Sequence, residues 1–142
     1  MSIGRVLVVD DEPPIRALVA RVLERLDLSV DTAADGEEAI SRLETGDYDV
    51  LVVDLMMPKV DGAGVIEFVK RMRGRRPTVI VASAGDSPTL HRLDSSVVHT
   101  ILRKPFEIDV LGDLVAAAAQ SARLQKQQKE SSSIVPFRHN RG

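Results

Sequence analysis

Four apolar stretches end on side chains that can do chemistry. RVLVV (5 to 9) runs into Asp10-Asp11, DVLVV (49 to 53) into Asp54, TVIVA (78 to 82) into Ser83-Ala84, and VHTIL (98 to 102) into Arg103-Lys104-Pro105. Gathered at one place they would supply three carboxylates, a hydroxyl and an ammonium. Carboxylates that close repel one another and raise each other's pKa unless a cation sits among them. A hard divalent ion such as Mg²⁺ suits an all-oxygen set, taking one or two carboxylates, a backbone carbonyl and waters. With the charge partly neutralised, one carboxylate is free to attack phosphorus. Ser83 and Lys104 would then hold the phosphoryl oxygens, the first by hydrogen bonding and the second as a point charge.

Gathering them is the task of the elements. The four runs and LSVDTA (28 to 33) are short and rich in β-branched residues, and three are almost continuously apolar, as a parallel strand covered on both faces must be. Between them lie helix-period segments: Ile15, Leu18, Val19, Val22, Leu23 and Leu26; then Ala39, Ile40 and Leu43; then Val65, Ile66, Val69 and Met72. A short, weak helix is expected from Pro88 to Asp94, and a last one after Pro105, carrying Ile108, Leu111, Leu114, Val115 and Ala118. Strands alternating with helices predict an α/β fold, a doubly wound five-stranded parallel sheet with helices on both faces. In such sheets ligands sit beyond the carboxyl ends of the strands. If the strands carrying the acids are central neighbours, one rim collects Asp10, Asp11, Asp54, Ser83 and Lys104.

At these residues the chain resembles a response-regulator receiver domain of two-component signal transduction, with its flavodoxin-like fold. The resemblance runs from about Arg5 to Gln120 and rests on Asp10-Asp11, on Asp54-Leu55-Met56-Met57-Pro58 with Asp61-Gly62, on Ser83-Ala84 and on Lys104-Pro105-Phe106, all in order at strand ends. It implies that Asp54 is the phosphoacceptor and also a metal ligand, Asp11 a direct Mg²⁺ ligand, and Asp10 an acid holding a metal-bound water. The backbone carbonyl of Met56 would complete the protein's share of the metal shell, Ser83 would be the switch hydroxyl, and Lys104 would pair with the phosphoryl group. The implied partners are a histidine kinase or histidine phosphotransfer protein and an unidentified downstream protein. Two positions depart from the family's pattern. Ile101 stands where Tyr or Phe is usual, so it is read as a switch position that stays against the sheet, and Asp94-Ser95-Ser96-Val97 replaces a glycine-containing turn.

Other readings of the same residues are narrower. Asp10-Asp11 before Glu12-Pro13-Pro14 also makes a helix start, with a capping acid and prolines in the first turn. Lys70-Arg71, Arg73 and Arg75-Arg76 fit cations at a helix C-terminus before Gly74 and Pro77 rather than a nucleic-acid contact. His91, His99 and His139 show no ligand spacing and receive no role. The 142 residues, 44% hydrophobic, suit one domain. A net charge of -2 gives no field that argues for nucleic acid or an anionic membrane, and the absence of cysteine excludes disulfide and thiol chemistry. With no signal-peptide pattern in MSIGRVLVV and no bilayer-length segment, the expectation is a soluble cytoplasmic protein.

The expected boundaries are a receiver domain over 1–122 and, over 123–142, a helix extension (ARLQKQQKE) followed by a disordered tail, with no output domain of any size. Ile108, Leu111, Val115, Ala118 and Ala122 keep a heptad-like spacing, so the last helix could pair with a second copy, lead into a domain of a longer response regulator, or pack on its own sheet. Three function classes separate on single residues. A phosphorylation-controlled binding module, with self-phosphorylation and autodephosphorylation as its only catalysis, fits all the motifs. An aspartate-nucleophile phosphatase would carry a second Asp at the place of Met56. A flavin or nucleotide binder would need a phosphate loop where Asp10-Asp11-Glu12-Pro13 would repel one.

Overall fold

The computed structural model describes residues 2–55, 62–84 and 93–134, with the backbone alone at 84 and 128–134. In chain order the elements are β1 (Arg5–Val9), α1 (Pro13–Glu24), β2 (Ser29–Ala33), α2 (Gly36–Thr45), β3 (Val50–Asp54), α3 (Gly62–Arg71), β4 (Thr78–Ala84), β5 (Val98–Lys104) and α4 (Ile108–Ile134). The strands form one five-stranded sheet in the order β2-β1-β3-β4-β5, and every pairing is parallel. This is the doubly wound fold expected from the alternation of runs. β1 and β3 lie side by side at the centre, which is why their apolar runs lack alternation: both faces are covered.

The strand period of two sorts the core into two layers. Leu7, Val9, Leu51, Val53, Val79 and Val81 pack with Ala39 and Leu43 of α2 and Val65, Ile66 and Val69 of α3. On the other face Val6, Val8, Val50, Val52 and Ile80 pack with Val19 and Leu23 of α1 and Leu111, Val115 and Ala119 of α4. Each fully buried Val or Leu contributes about 1.5–3 kcal/mol. The heptad-like positions of α4 are thus largely consumed by its own sheet, with Ile108 and Ala118 partly buried beside them. Its helix continues to Ile134 and takes in Ser131 to Ser133, which the sequence reading gave to the tail; residues 135–142 lie outside the described residues.

Helix starts follow local chemistry. Glu12 is the N-cap of α1, extended and without a side-chain cap bond, and prolines occupy the first positions, where a missing N–H costs nothing. Asp10 and Asp11 are therefore not its caps. Asp35 caps α2 by accepting from the Glu38 N–H at 2.9 Å. The helix expected from Pro88 lies outside the described residues up to 92, and Leu93 and Asp94 are not helical. The glycine-free turn into β5 is an Asx turn: Asp94 Oδ1 accepts from Ser96 N at 2.9 Å and Ser96 Oγ at 2.6 Å.

β5 is an edge strand, and its burial alternates. Ile101 is 40% exposed, which corrects the expectation that it stays against the sheet: an edge position leaves one flank of its side chain uncovered. Val79 pairs Val98 while Ile80 pairs Thr100, so His99 is an extra residue in the ladder, and its Nδ1 accepts the Val79 N–H at 3.1 Å. The histidine left without a role therefore satisfies a backbone donor.

Candidate functional site

The carboxyl ends of the strands bring the chemically capable residues to one rim. Asp10 follows β1, Asp54 ends β3 opposite Ala82 of β4, and the next two residues of β4, Ser83 and Ala84, pair Arg103 and Lys104. Asp10, Asp54 and Ser83 are buried at 7%, 5% and 0% exposure, an unusual concentration of buried polar groups. Lys104 Nζ stands 3.4 Å from Asp54 Oδ2. A small cavity of about 20 Å³ lies among Asp10, Asp54, Lys104, Val19 and Phe106. The Lys104-Pro105 peptide bond is cis.

Asp54 is seated by the chain that returns to it. Gly62, the first residue of α3, donates its N–H to Leu55 O at 3.2 Å. A Cβ at position 62 would stand 2.4 Å from Asp54 O and 2.5 Å from Leu55 Cα, so any side chain would push the helix off the strand end. That steric demand explains the glycine in the Asp61-Gly62 motif. Met56, Met57, Pro58 and Asp61 lie outside the described residues, including the Met56 carbonyl expected at the metal.

Asp10 is held from two sides. Its Oδ1 accepts the Glu12 N–H at 2.9 Å, and its carbonyl oxygen accepts from the Arg16 guanidinium at 2.8 Å. Burial pushes its carboxyl above the usual aspartate range. The Glu12 N–H opposes that rise, the charge of Asp54 adds to it, and Lys104 opposes it. Asp10, Asp11 and Glu12 bring one carboxylate oxygen each within 4.8 Å of the others, Asp10 buried and the other two exposed. Such a set fits a hard divalent cation, because it is all oxygen and because Asp10 is short of positive charge. Asp54 stands outside this triplet, on the Lys104 side.

Glu12 was not expected among the acids. Its only signal was adjacency, which a helix start explains equally well. Ser83 Oγ is buried and, among the described residues, has no hydrogen-bond partner. A native structure tolerates such an orphan where function demands it.

A family model described as the response regulator receiver domain matches residues 6–116. The transcriptional regulatory protein TcrA of Mycobacterium tuberculosis is 39% identical over 108 residues, covering 75% of this chain and 42% of that protein. The chain thus spans less than half the length of that relative. Among solved structures, the receiver domain of Francisella response regulator 1452 is 32% identical with a TM-score of 0.74, covering 83% of this chain and 98% of that one. The response regulator protein TrrA of Thermotoga maritima, solved in complex with Mg(2+)-BeF, is 33% identical with a TM-score of 0.70, covering 83% and 99%.

Proposed function

The chain belongs to the response regulator receiver family, and on that premise we propose that Asp54 accepts a phosphoryl group from a phosphohistidine of a histidine kinase or phosphotransfer protein. The observation that carries this reading is the buried Asp54 carboxylate at the end of a central strand, 3.4 Å from Lys104 Nζ. In the transfer, an Asp54 oxygen forms a bond to phosphorus while the donor's phosphorus–nitrogen bond breaks. The electron pair leaves on the imidazole nitrogen, which takes up a proton, and an acyl phosphate remains on Asp54.

Lys104 neutralises the charge gathering on the phosphoryl oxygens and needs little reorganisation to do so. Asp10 and Asp11, with Glu12 beside them, are the residues that would hold Mg²⁺, together with the Met56 carbonyl. When bound, Mg²⁺ supplies positive charge to the phosphoryl oxygens and relieves the repulsion between Asp10 and Asp54. The Ser83 hydroxyl, without a partner among the described residues, is the donor that an added phosphoryl oxygen would satisfy, so modification gives β4 a new contact at its end. That differential contact shifts the balance between two conformations and changes affinity for a downstream protein.

The test uses a small phosphodonor and Mg²⁺ with intact-mass detection. The parent gains one phosphoryl group, and Asp54→Asn gains none. An undiminished gain in Asp54→Asn would move the acceptor elsewhere.

A further inference from the structure

The end of the sheet opposite Asp54 holds a second set of buried charge that the phosphoryl chemistry does not use. Asp49, immediately before β3, is 1% exposed. Its Oδ2 accepts the Arg5 N–H at 2.8 Å and Arg123 Nε at 2.9 Å, while its Oδ1 is paired with the Arg75 guanidinium. The same Arg75 reaches Asp47 Oδ1 at 3.1 Å, and Lys126 Nζ reaches Asp47 Oδ2 at 3.5 Å. Two acids from the β3 approach are thereby joined to two cations of α4.

The position of those cations on α4 gives the cluster its meaning. The helix has 27 residues, about 40 Å at 1.5 Å per residue, whereas β5 has seven residues, about 23 Å. Its buried apolar contacts end at Ala119, which lies close enough to Gly4 that a Cβ there would stand 2.8 Å from the Ala119 Cβ. From 120 to 127 no side chain is buried. A cleft of about 330 Å³ lies between Gly74, Arg75, Arg76 and Thr78 on one side and Ala122, Gln125 and Lys126 on the other, so close packing does not fasten this stretch. What does fasten it, among the described residues, is Arg123 on Asp49 and Lys126 on Asp47.

We propose that Asp49 is the anchor that fixes the direction in which α4 leaves the domain, with Arg123 as its partner on that helix and Asp47–Lys126 as a weaker second tie. Burial would push the Asp49 carboxyl up, but the hydrogen bonds from Arg75, the Arg5 N–H and Arg123 outweigh it and hold the carboxyl below its ordinary range, so the anchor is charged at neutral pH. Asp49 has three donors converging on it, whereas Asp47 is exposed and its tie to Lys126 is long. The second half of α4 is in this view a lever with a defined heading, held by charge and releasable without disturbing the core. The inference does not rest on phosphoryl transfer.

The chain has no cysteine, so spin labels can be placed on Ser41→Cys and Gln127→Cys, both at exposed positions, without removing a native thiol. The parent should give a narrow distance distribution, and Arg123→Met, which keeps the bulk and loses the ion pair, should widen it at least about twofold. Amide hydrogen exchange of 120–127 should quicken about tenfold or more in Arg123→Met, while 108–119 stays as in the parent. Asp49→Asn should loosen the same stretch; because it also unpairs Arg75, Arg123→Met is the deciding variant. Unchanged width and exchange in Arg123→Met would overturn the proposal. So would a uniform rise across the whole domain, which would make the cluster a prop of the fold and not an anchor of the helix.

Discussion

Asp10 keeps its ionised form at a cost. Burial and the nearby charge of Asp54 raise its pKa, so ionising it in the folded state is harder than in the unfolded chain. The penalty is absent below the ordinary aspartate value of about 3.9, grows as pH rises through the raised folded value, and is complete above it. Asp10→Asn should therefore raise the Mg²⁺-free melting temperature at pH 7 and leave it unchanged near pH 3, and a thermal scan at both values checks the sign. Ser83 carries a different liability. Its hydroxyl is already buried without a partner among the described residues, so Ser83→Ala should change stability by no more than about 0.5 kcal/mol. A loss of more than about 1.5 kcal/mol in denaturant titration would reveal a hydrogen bond to that oxygen. These residues were legible because each follows an apolar run directly. Glu12 and Asp49 were not: the first looks like any helix start, and the second is paired with Arg123, 74 residues away.

β5 shows where reading an element from its own residues stops. VHTIL has the composition of a buried strand, yet the sheet order puts it at an edge, and order is fixed by how strands pair, not by what one strand contains. Ile101→Ala should consequently cost about 1 kcal/mol or less, against about 2–5 kcal/mol for Leu51→Ala at the centre. Equal costs in urea titrations would mean that Ile101 is covered after all. The bulge at His99 was equally hidden, because it exists only relative to the register of β4. In α4 the apolar spacing from Ile108 to Ala118 was legible and is used as a sheet-facing stripe. Its end was misplaced at residue 130 because a serine run carries weak helix propensity, which a helix already nucleated and packed upstream overrides.

Across the whole molecule, fold class was the most legible feature, since uninterrupted β-branched runs between helix-period segments leave few other arrangements, whereas the order of the strands was not. Among the described residues no helix is long and apolar enough to cross a membrane. The two ends of the sheet differ in how they respond to acid. Asp49 has a lowered pKa, so its stabilising contribution is complete above about 3.9 and is lost as pH falls through the depressed folded value. Asp10 gives the opposite slope. Asp49→Asn should thus flatten the acid limb of the stability curve below pH 4 while lowering stability at pH 7, and circular-dichroism melts from pH 2 to 7 would show it. If Mg²⁺ binds the rim as proposed, it offsets the Asp10 penalty in the folded state, and added Mg²⁺ should raise the melting temperature, more at pH 7 than at pH 4. A Mg²⁺ effect independent of pH would argue against Asp10 as part of its site.

Two glycines, one opening α3 and one just beyond it, set different limits on how this sequence can drift. At position 74 the backbone has φ +83° and, among the described residues, nothing lies within 4 Å of where a Cβ would stand, so the obstacle is conformational and an Asn allele should persist. At position 62 the obstacle is occupied space, with the Asp54 carbonyl where a methyl would go. A saturation library selected for folded protein should return several residues at 74 and a single one at 62. Every lineage descending from this chain would then inherit that glycine for as long as Asp54 keeps its seat.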